Sequence, residues 1–253
     1  MSASSPSMLA RLWANPIVVM TVVLELCRGR YEGSASIGAV GSGAHRPSLT
    51  FRAALRIVWR DHRLRRLSLA SFALIAAQLS LNSFLVTFLV REAGYGLAAA
   101  GSLLAAVQLG GLIGRLTWGA IAGRVVPAHT LVAMLGAGTM IGLALLGTFG
   151  TGMASGPLAV LCFFAGATAA GWNGVFLAEV ARLAPAGEIA RITGASFVLG
   201  SLGLLVGPLV FGAVARTWSF GLAYCVMAAS ALVGVAILLQ GGPPRNERRP
   251  RSI

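Results

Sequence analysis

The sequence predicts an all-α integral membrane protein with a bundle of six transmembrane helices. The first observation is that six long stretches of the chain carry almost no charge. About 20 apolar residues in a helix cross a bilayer core of about 30 Å, so each stretch is long enough to span it. The second observation is that most arginines lie in every second gap between the stretches. Together these patterns indicate helices that cross a membrane back and forth.

The composition of the chain separates it from soluble proteins. Of its 253 residues, 57% are hydrophobic and 11% are charged, whereas a soluble domain has about 25% charged residues. The net charge of +13 comes from 20 arginines, with no lysine. Such a charge also suggests a nucleic-acid-binding protein. Because most of the charge flanks apolar stretches, we expect a lipid bilayer rather than a nucleic acid as the partner.

The six predicted spans follow one another with short connections. In chain order they are Leu67–Val90, Leu97–Gly123, Val126–Phe149, Ser155–Ala178, Ile192–Ala215 and Thr217–Gln240. A water-soluble helix of this length would need a polar face, which these stretches lack. The longest connection, Glu179–Arg191, divides the spans into three plus three. Inverted repeats of three helices are frequent in transporters.

The arginines also predict the orientation of the chain. One side of the predicted bundle has fourteen, and the other has only Arg91 and Arg216. The fourteen are Arg46, Arg52, Arg56, Arg60, Arg63, Arg65, Arg66, Arg124, Arg182, Arg191, Arg245, Arg248, Arg249 and Arg251. Arginine and lysine concentrate on the cytoplasmic side of membranes. We therefore expect both termini to be cytoplasmic.

Three segments flank the six-helix domain, which occupies residues 67–240. Residues 1–50 are expected to be a poorly ordered linker, and residues 241–253 a basic cytoplasmic tail. Residues 51–66 predict a basic amphipathic cytoplasmic helix. One face carries Phe51, Leu55, Val58 and Trp59, and the opposite face carries Arg52, Arg56, Arg60 and Arg63. This helix lies on the membrane surface or is an ordinary solvated linker helix.

A glycine–arginine signature lies at the end of the second predicted span. In the segment Gly114–Arg124, Gly119 precedes Arg124 by five positions. The segment resembles the loop signature of Major Facilitator Superfamily transporters, which runs Gly, three residues, Asp and Arg. Gly119 and Arg124 match it. Gly123 stands where the family usually has the Asp that helps to close the cytoplasmic side.

Two further segments extend this resemblance. Gly171–Arg182 resembles the fourth helix of the carboxyl half in a bacterial branch of the family. This resemblance implies that the protein lies in a bacterial inner (plasma) membrane. The fifth span is similar to the family's Gly-Pro helix motif, which makes Gly203, Gly207 and Pro208 candidate packing or hinge positions. The resemblance covers about residues 60–240 and implies helices seven to twelve of a twelve-helix transporter.

The resemblance implies a secondary active transporter of a small organic solute that works by alternating access. Six helices would form only one wall of the pathway. A second six-helix bundle is then needed, from a homodimer or a separate amino half. The alternative is a truncated membrane protein without transport activity, or an assembly partner. No nucleophile–base pair or metal-ligand spacing stands out, so we expect neither an enzyme nor a cofactor.

Five side chains are candidates for the substrate cavity. They are Gln78, Asn82, Gln108, Trp172 and Asn173. Polar groups facing lipid are costly, so such residues usually face a cavity or another helix. The resemblance implies that the helices carrying them line the cavity. The alternative is hydrogen bonding between helices without a ligand.

Four charged residues near the predicted cytoplasmic ends of the second and fourth spans suggest an inner gate. They are Arg115, Arg124, Glu179 and Arg182. We hypothesise that they form one charge cluster. The alternative is that these charges only orient the helices in the membrane.

Overall fold

The computed structural model describes residues 50–185 and 187–240. The predicted amino-terminal linker, apart from Thr50, and the basic tail lie outside these residues. The described chain forms seven helices, numbered here in chain order. They are α1 (Phe51–Arg60), α2 (His62–Arg91), α3 (Leu97–Ile121), α4 (Ala128–Phe149), α5 (Ser155–Leu183), α6 (Ile189–Thr217) and α7 (Phe220–Leu239).

The predicted all-α class and the six spans are confirmed. Helices α2 to α7 are each long and apolar enough to cross a membrane. Helices α2, α5 and α6 are longer than the predicted spans, because charged residues next to those spans are also helical. In particular, α5 continues to Leu183 and α6 begins at Ile189. The predicted connection Glu179–Arg191 is therefore mostly helical, and Glu179 and Arg182 form an ion pair within α5.

The predicted single helix over residues 51–66 is wrong, because Asp61 divides it. Asp61 has an extended backbone with ψ of 116°. Its carboxylate accepts hydrogen bonds from the backbone N–H of Arg63 at 2.8 Å and of Leu64 at 3.0 Å. An aspartate that caps a helix in this way satisfies N–H groups with no partner inside the helix. The chain therefore ends α1 at Arg60 and starts α2 at His62.

Helices α3 and α5 run parallel and pack with their backbones close together. Gly110 and Gly114 of α3 lie against the backbone of Phe163 and Ala167 of α5. From the other side, Gly166 lies against the backbone of Val107. A side chain at any of these glycines would collide with main-chain atoms. Small residues allow this approach, which is how helices associate in lipid.

Helices α2 and α6 form a second parallel pair. A Cβ atom on Gly207 would lie 2.6 Å from the Cα atom of Ala76, and Gly203 lies against the backbone of Phe72. Pro208 lies inside α6 directly after this contact, where it removes one hydrogen bond of the helix. The structure thus places Gly203 and Gly207 at the α2–α6 packing contact.

Helices α4 and α7 pack antiparallel, and an aromatic cluster joins α7 to α2 and α6. Phe211 stacks on Phe84 with ring centroids 4.5 Å apart and meets Tyr224 edge-on at 4.8 Å. Phe88 also meets Tyr224 edge-on at 5.3 Å. Aromatic pairs of this geometry add stabilisation beyond that of buried area. The cluster fixes α2, α6 and α7 relative to one another.

The bundle has an arginine-rich end, at which α2, α4 and α6 begin and α3, α5 and α7 end. Arg63, Arg124, Arg182 and Arg191 lie there. Arg91 and Arg216 lie in the last turns of α2 and α6, at the opposite end. The arginines that occupy every second gap in the sequence thus lie at one end of the folded bundle.

Candidate functional site

A cavity of about 400 Å³ opens between α2, α3, α5 and α6. This volume is within the range of small-molecule sites in proteins. Its lining residues are Ile75, Gln78, Leu79, Asn82, Arg115, Asn173, Leu177, Phe197 and Leu204. The cavity therefore combines four polar side chains from three helices with an apolar remainder.

A hydrogen bond joins α2 and α5 at this cavity. The Asn173 Nδ2 group donates to Gln78 Oε1 at 3.2 Å and to the Ala170 carbonyl at 3.1 Å. Both N–H groups of the Asn173 amide are thereby used. The Nε2 group of Gln78 and the amide of Asn82 have no protein partner in the described part of the chain. These N–H groups are available to a ligand.

Arg115 supplies the positive charge of the cavity. It lies in α3 six residues before the helix ends at Ile121, and it lines the same cavity as Asn173. Within residues 50–185 and 187–240, no carboxylate pairs with it. A charged side chain within a membrane-spanning helix is costly and usually faces a water-filled cavity or a binding site. The arrangement can bind a small anion through the guanidinium group and neighbouring amides.

Two of the predicted cavity residues lie elsewhere. Trp172 is fully buried and packs edge-on against Phe176 with ring centroids 5.6 Å apart. Gln108 is exposed on α3, seven residues before Arg115. Seven residues are nearly two helical turns, so Gln108 shares a face with Arg115 at a distance of about 10 Å along the axis. The structure thus brings together Gln78, Asn82 and Asn173.

The four predicted gate charges do not form one cluster in the described structure. Glu179 is buried and binds Arg182 through both carboxylate oxygens, at 2.6 and 2.9 Å. Arg115 lines the cavity instead. Arg124 is exposed on the α3–α4 turn. Glu179 and Arg182 instead satisfy each other on adjacent turns of one helix.

A glycine shapes the α3–α4 turn, which carries the loop signature. Gly123 adopts a left-handed backbone conformation with φ of 74°, which residues other than glycine rarely adopt. Its N–H donates to the Val126 carbonyl at 2.9 Å. Gly119 has open space around it. The glycine at the position of the family's Asp therefore shapes a tight turn next to Arg124.

The apolar lining residues were not identified from the sequence. Ile75 and Leu79 flank Gln78 on α2, and Leu177 follows Asn173 by one helical turn. Helical spacing from the polar residues would have identified these three. Phe197 and Leu204 of α6 carry no such signal, because α6 has no strongly polar side chain at that depth.

A bundle of apolar helices around a cavity that contains polar and charged side chains is typical of membrane transport proteins. Residues 12–208 match the sequence profile of the Major Facilitator Superfamily. The match covers more than half of the chain, which therefore belongs to this family. The protein is an integral membrane protein of a transporter family rather than an enzyme.

Relatives and solved structures agree with this assignment. The chain is 29% identical over 195 residues to "Probable nitrate/nitrite transporter NarK2" from two strains of Mycobacterium tuberculosis, CDC 1551 / Oshkosh and ATCC 25618 / H37Rv. The alignment covers 74% of this chain and 46% of each relative. The chain thus spans about half the length of the curated relatives it matches. The crystal structure of a single-residue variant of the E. coli fucose:proton symporter FucP has the same fold, with a TM-score of 0.63 at 19% identity, over 78% of this chain and 46% of that chain.

Proposed function

We propose that the chain forms one wall of a secondary transporter for a small inorganic anion of the nitrate or nitrite type. The observation that carries this proposal is the position of Arg115 in the cavity without an acidic partner among the described residues. The sequence suggested an organic solute because glutamine, asparagine and tryptophan side chains suit an uncharged or weakly anionic organic molecule. With Arg115 in the cavity wall, an anion is the better fit, and the relatives named above are nitrate/nitrite transporters by name.

The amides of the cavity complete a set of hydrogen-bond donors for an anion. The guanidinium group of Arg115 presents several N–H donors in one plane, which suits planar oxygen anions. Gln78 and Asn82 are four residues apart on α2 and each add an amide N–H group. An anion held by these groups keeps its charge balanced inside the membrane, where an unpaired charge is costly.

Transport by this chain requires a second six-helix bundle. The anion site lies between α2, α3, α5 and α6, and alternating access moves one bundle against another around such a site. The partner bundle is a second copy of the chain or an amino half. The pair of Glu179 and Arg182, at the arginine-rich end, would then bias which side is open. Glu179→Gln should change the accessibility of a cysteine introduced into the cavity wall, such as Leu204→Cys, to a thiol reagent.

The proposal is tested by anion binding to the purified chain. Nitrate at constant ionic strength, with chloride as the balancing salt, should raise the Tm of the wild-type protein in detergent. We expect Arg115→Gln to lose this response and Arg115→Lys to retain only part of it. Arg216→Gln, which removes an arginine from the opposite end of the bundle, is the matched control and should respond like wild type.

The outcomes separate the anion site from an unrelated role. A nitrate response that survives Arg115→Gln contradicts the anion site. A response lost equally in Arg216→Gln reflects net charge only. Nitrate uptake into proteoliposomes that contain the chain, alone or with an amino half, then separates a transporter from a truncated binding protein.

A further inference from the structure

We propose that α1 is a docking surface for anionic phospholipid headgroups at the arginine-rich end of the bundle. This inference does not depend on the proposed anion transport. It rests on how the structure arranges the side chains around α1 and on the charge that this helix presents.

Three stripes run along α1. Ala54 and Val58 are fully buried and belong to the apolar core of the bundle, and α1 packs mainly on α6. Beside this buried stripe lie Phe51, Leu55 and Trp59, four residues apart. The arginines Arg52, Arg56 and Arg60 follow at the same spacing. Residues four apart lie on one face of a helix, so the order around the helix is protein core, apolar stripe and arginine stripe.

The sequence alone suggested that Phe51, Val58 and Trp59 form one apolar face. In the folded chain Val58 is covered by the bundle, whereas Phe51 is 51% exposed and Trp59 is 53% exposed. These two aromatic side chains therefore need another apolar surface. Aromatic residues beside arginines are typical of the interface between lipid chains and headgroups.

The ends of α1 are fixed, which makes the surface rigid. The hydroxyl of Thr50 accepts from the Ala53 N–H at 3.4 Å at the start of the helix. At its end, Arg65 Nη1 donates to the Trp59 carbonyl at 3.1 Å, and Asp61 caps α2. A preordered surface binds with a smaller loss of conformational entropy.

The charges of α1 select an anionic partner. The helix contains no acidic residue, and its arginines at 52, 56 and 60 are exposed. In the described chain none of the three has an ion pair. The nearest carboxylate along the chain, Asp61, is used by the N–H groups of α2. Exposed arginines at a membrane surface attract anionic lipid by about 1 kcal/mol each, which is about fivefold in affinity.

The affinity of the full chain for phosphatidylglycerol and phosphatidylcholine tests this inference. Native mass spectrometry of the protein in detergent gives the Kd of each lipid. The triple variant Arg52→Gln, Arg56→Gln and Arg60→Gln should lower the phosphatidylglycerol affinity about 100-fold, because three contributions of about fivefold each multiply. Its phosphatidylcholine affinity should not change. The control is Arg245→Gln, Arg248→Gln and Arg249→Gln, which removes the same charge from the tail.

Hydrogen exchange of the backbone in nanodiscs locates the contact. Phosphatidylglycerol, compared with phosphatidylcholine alone, should slow exchange over residues 50–60 in wild type and in the tail control. The α1 triple variant should show no such slowing. Unchanged lipid selectivity in the α1 variant overturns the proposal, as does an equal loss in the tail control. Exchange over α1 that is independent of lipid charge overturns it too and favours an ordinary solvated linker helix.

Discussion

Asn173 shows how one side chain serves both packing and the candidate site. Its Nδ2 group donates a hydrogen bond to Gln78 of α2 and another to the Ala170 carbonyl of its own helix, α5. The sequence left two interpretations of this residue open, namely contact with a substrate and hydrogen bonding between helices. The structure shows the hydrogen bond between helices, and this bond lies beside the cavity. The bridge leaves the Gln78 amide N–H groups as the donors next to Arg115.

The coupling between Gln78 and Asn173 can be measured with a double-mutant cycle. We expect Gln78→Leu and Asn173→Leu each to lower the free energy of unfolding, with a coupling of about 1 kcal/mol or less, as for hydrogen bonds between membrane helices. Unfolding in mixed micelles gives the four values. Additive effects would show that the hydrogen bond contributes nothing to stability. Asn82→Leu, at the same cavity but without this bond, is the control.

The ion pair of Glu179 and Arg182 predicts an unequal response to substitution. The Glu179 side chain is 5% exposed, whereas that of Arg182 is 59% exposed. Arg182→Ala leaves a buried carboxylate without its cation and should lower the free energy of unfolding by about 2 kcal/mol, the exposed arginine limiting the effect. Glu179→Gln keeps an acceptor and should cost about half as much.

The matched control for this pair is Arg124→Ala. Arg124 is exposed on the α3–α4 turn, and its removal should leave stability almost unchanged, as for most surface substitutions. Unfolding of all three variants in the same detergent provides the comparison. If Arg182→Ala costs no more than Arg124→Ala, the ion pair does not stabilise α5.

At the scale of helices, glycine determines which pairs approach closely. The contacts at Gly110, Gly114 and Gly166 bring α3 and α5 together, and those at Gly203 and Gly207 bring α2 and α6 together. These four helices also line the cavity. Close packing within each pair leaves the opening between the pairs, so the glycine contacts and the cavity are parts of one arrangement.

Gly166 and Gly174 of α5 offer a matched test of this packing. A Cβ atom at Gly166 would collide with the Val107 carbonyl, whereas none of the described chain lies within 4 Å of one at Gly174. Gly166→Val should separate α3 from α5 and lower the free energy of unfolding by about 3 kcal/mol. Gly174→Val should be neutral or slightly stabilising, because valine favours a helix more than glycine does. Similar unfolding curves for the two variants would contradict the close α3–α5 contact.

At the scale of the whole molecule, the cavity is open on one face. Helices α3 and α6 have the smallest buried share of the six spans, and both contribute to the cavity wall. In the family's mode of action, a second bundle faces such a wall. We therefore expect the second bundle to contact α6 near Leu204 and to leave the outer surface of α7 to lipid.

Photo-crosslinking in native membranes tests for the proposed second bundle. The background is a variant whose three cysteines are replaced by alanine. In this background, Leu204→Cys places a maleimide–benzophenone label on the cavity face. Leu232→Cys, at a position that is 51% exposed on α7, carries it on the outer face as the control. We expect a protein product from Leu204→Cys only. Because an amino half would have a mass close to the 26.0 kDa of this chain, peptide mass spectrometry of the product distinguishes a homodimer, which contains peptides of this chain alone, from a complex with an amino half. Protein products from neither site, or equally from both, would contradict the expected interface.

The sequence was sufficient for the class of the protein and its six spans, because hydropathy and length are properties of each segment alone. The alternation of arginines predicted which helix ends lie together. Predictions at the junctions were weaker. Asp61 divided a predicted helix, and α5 continued past Glu179, because capping and ion pairs depend on single side chains.

Only the tertiary structure decided which polar residues share a site. Arg115, assigned from the sequence to the gate, lines the cavity with Gln78, Asn82 and Asn173, whereas Trp172 is buried in the core. Hydropathy gives the depth of a residue along its span but not the direction in which its side chain points. That direction is set by the rotation of each helix, which the close contacts at the glycines fix. The sequence therefore determined what crosses the membrane, and helix packing determined what faces the cavity.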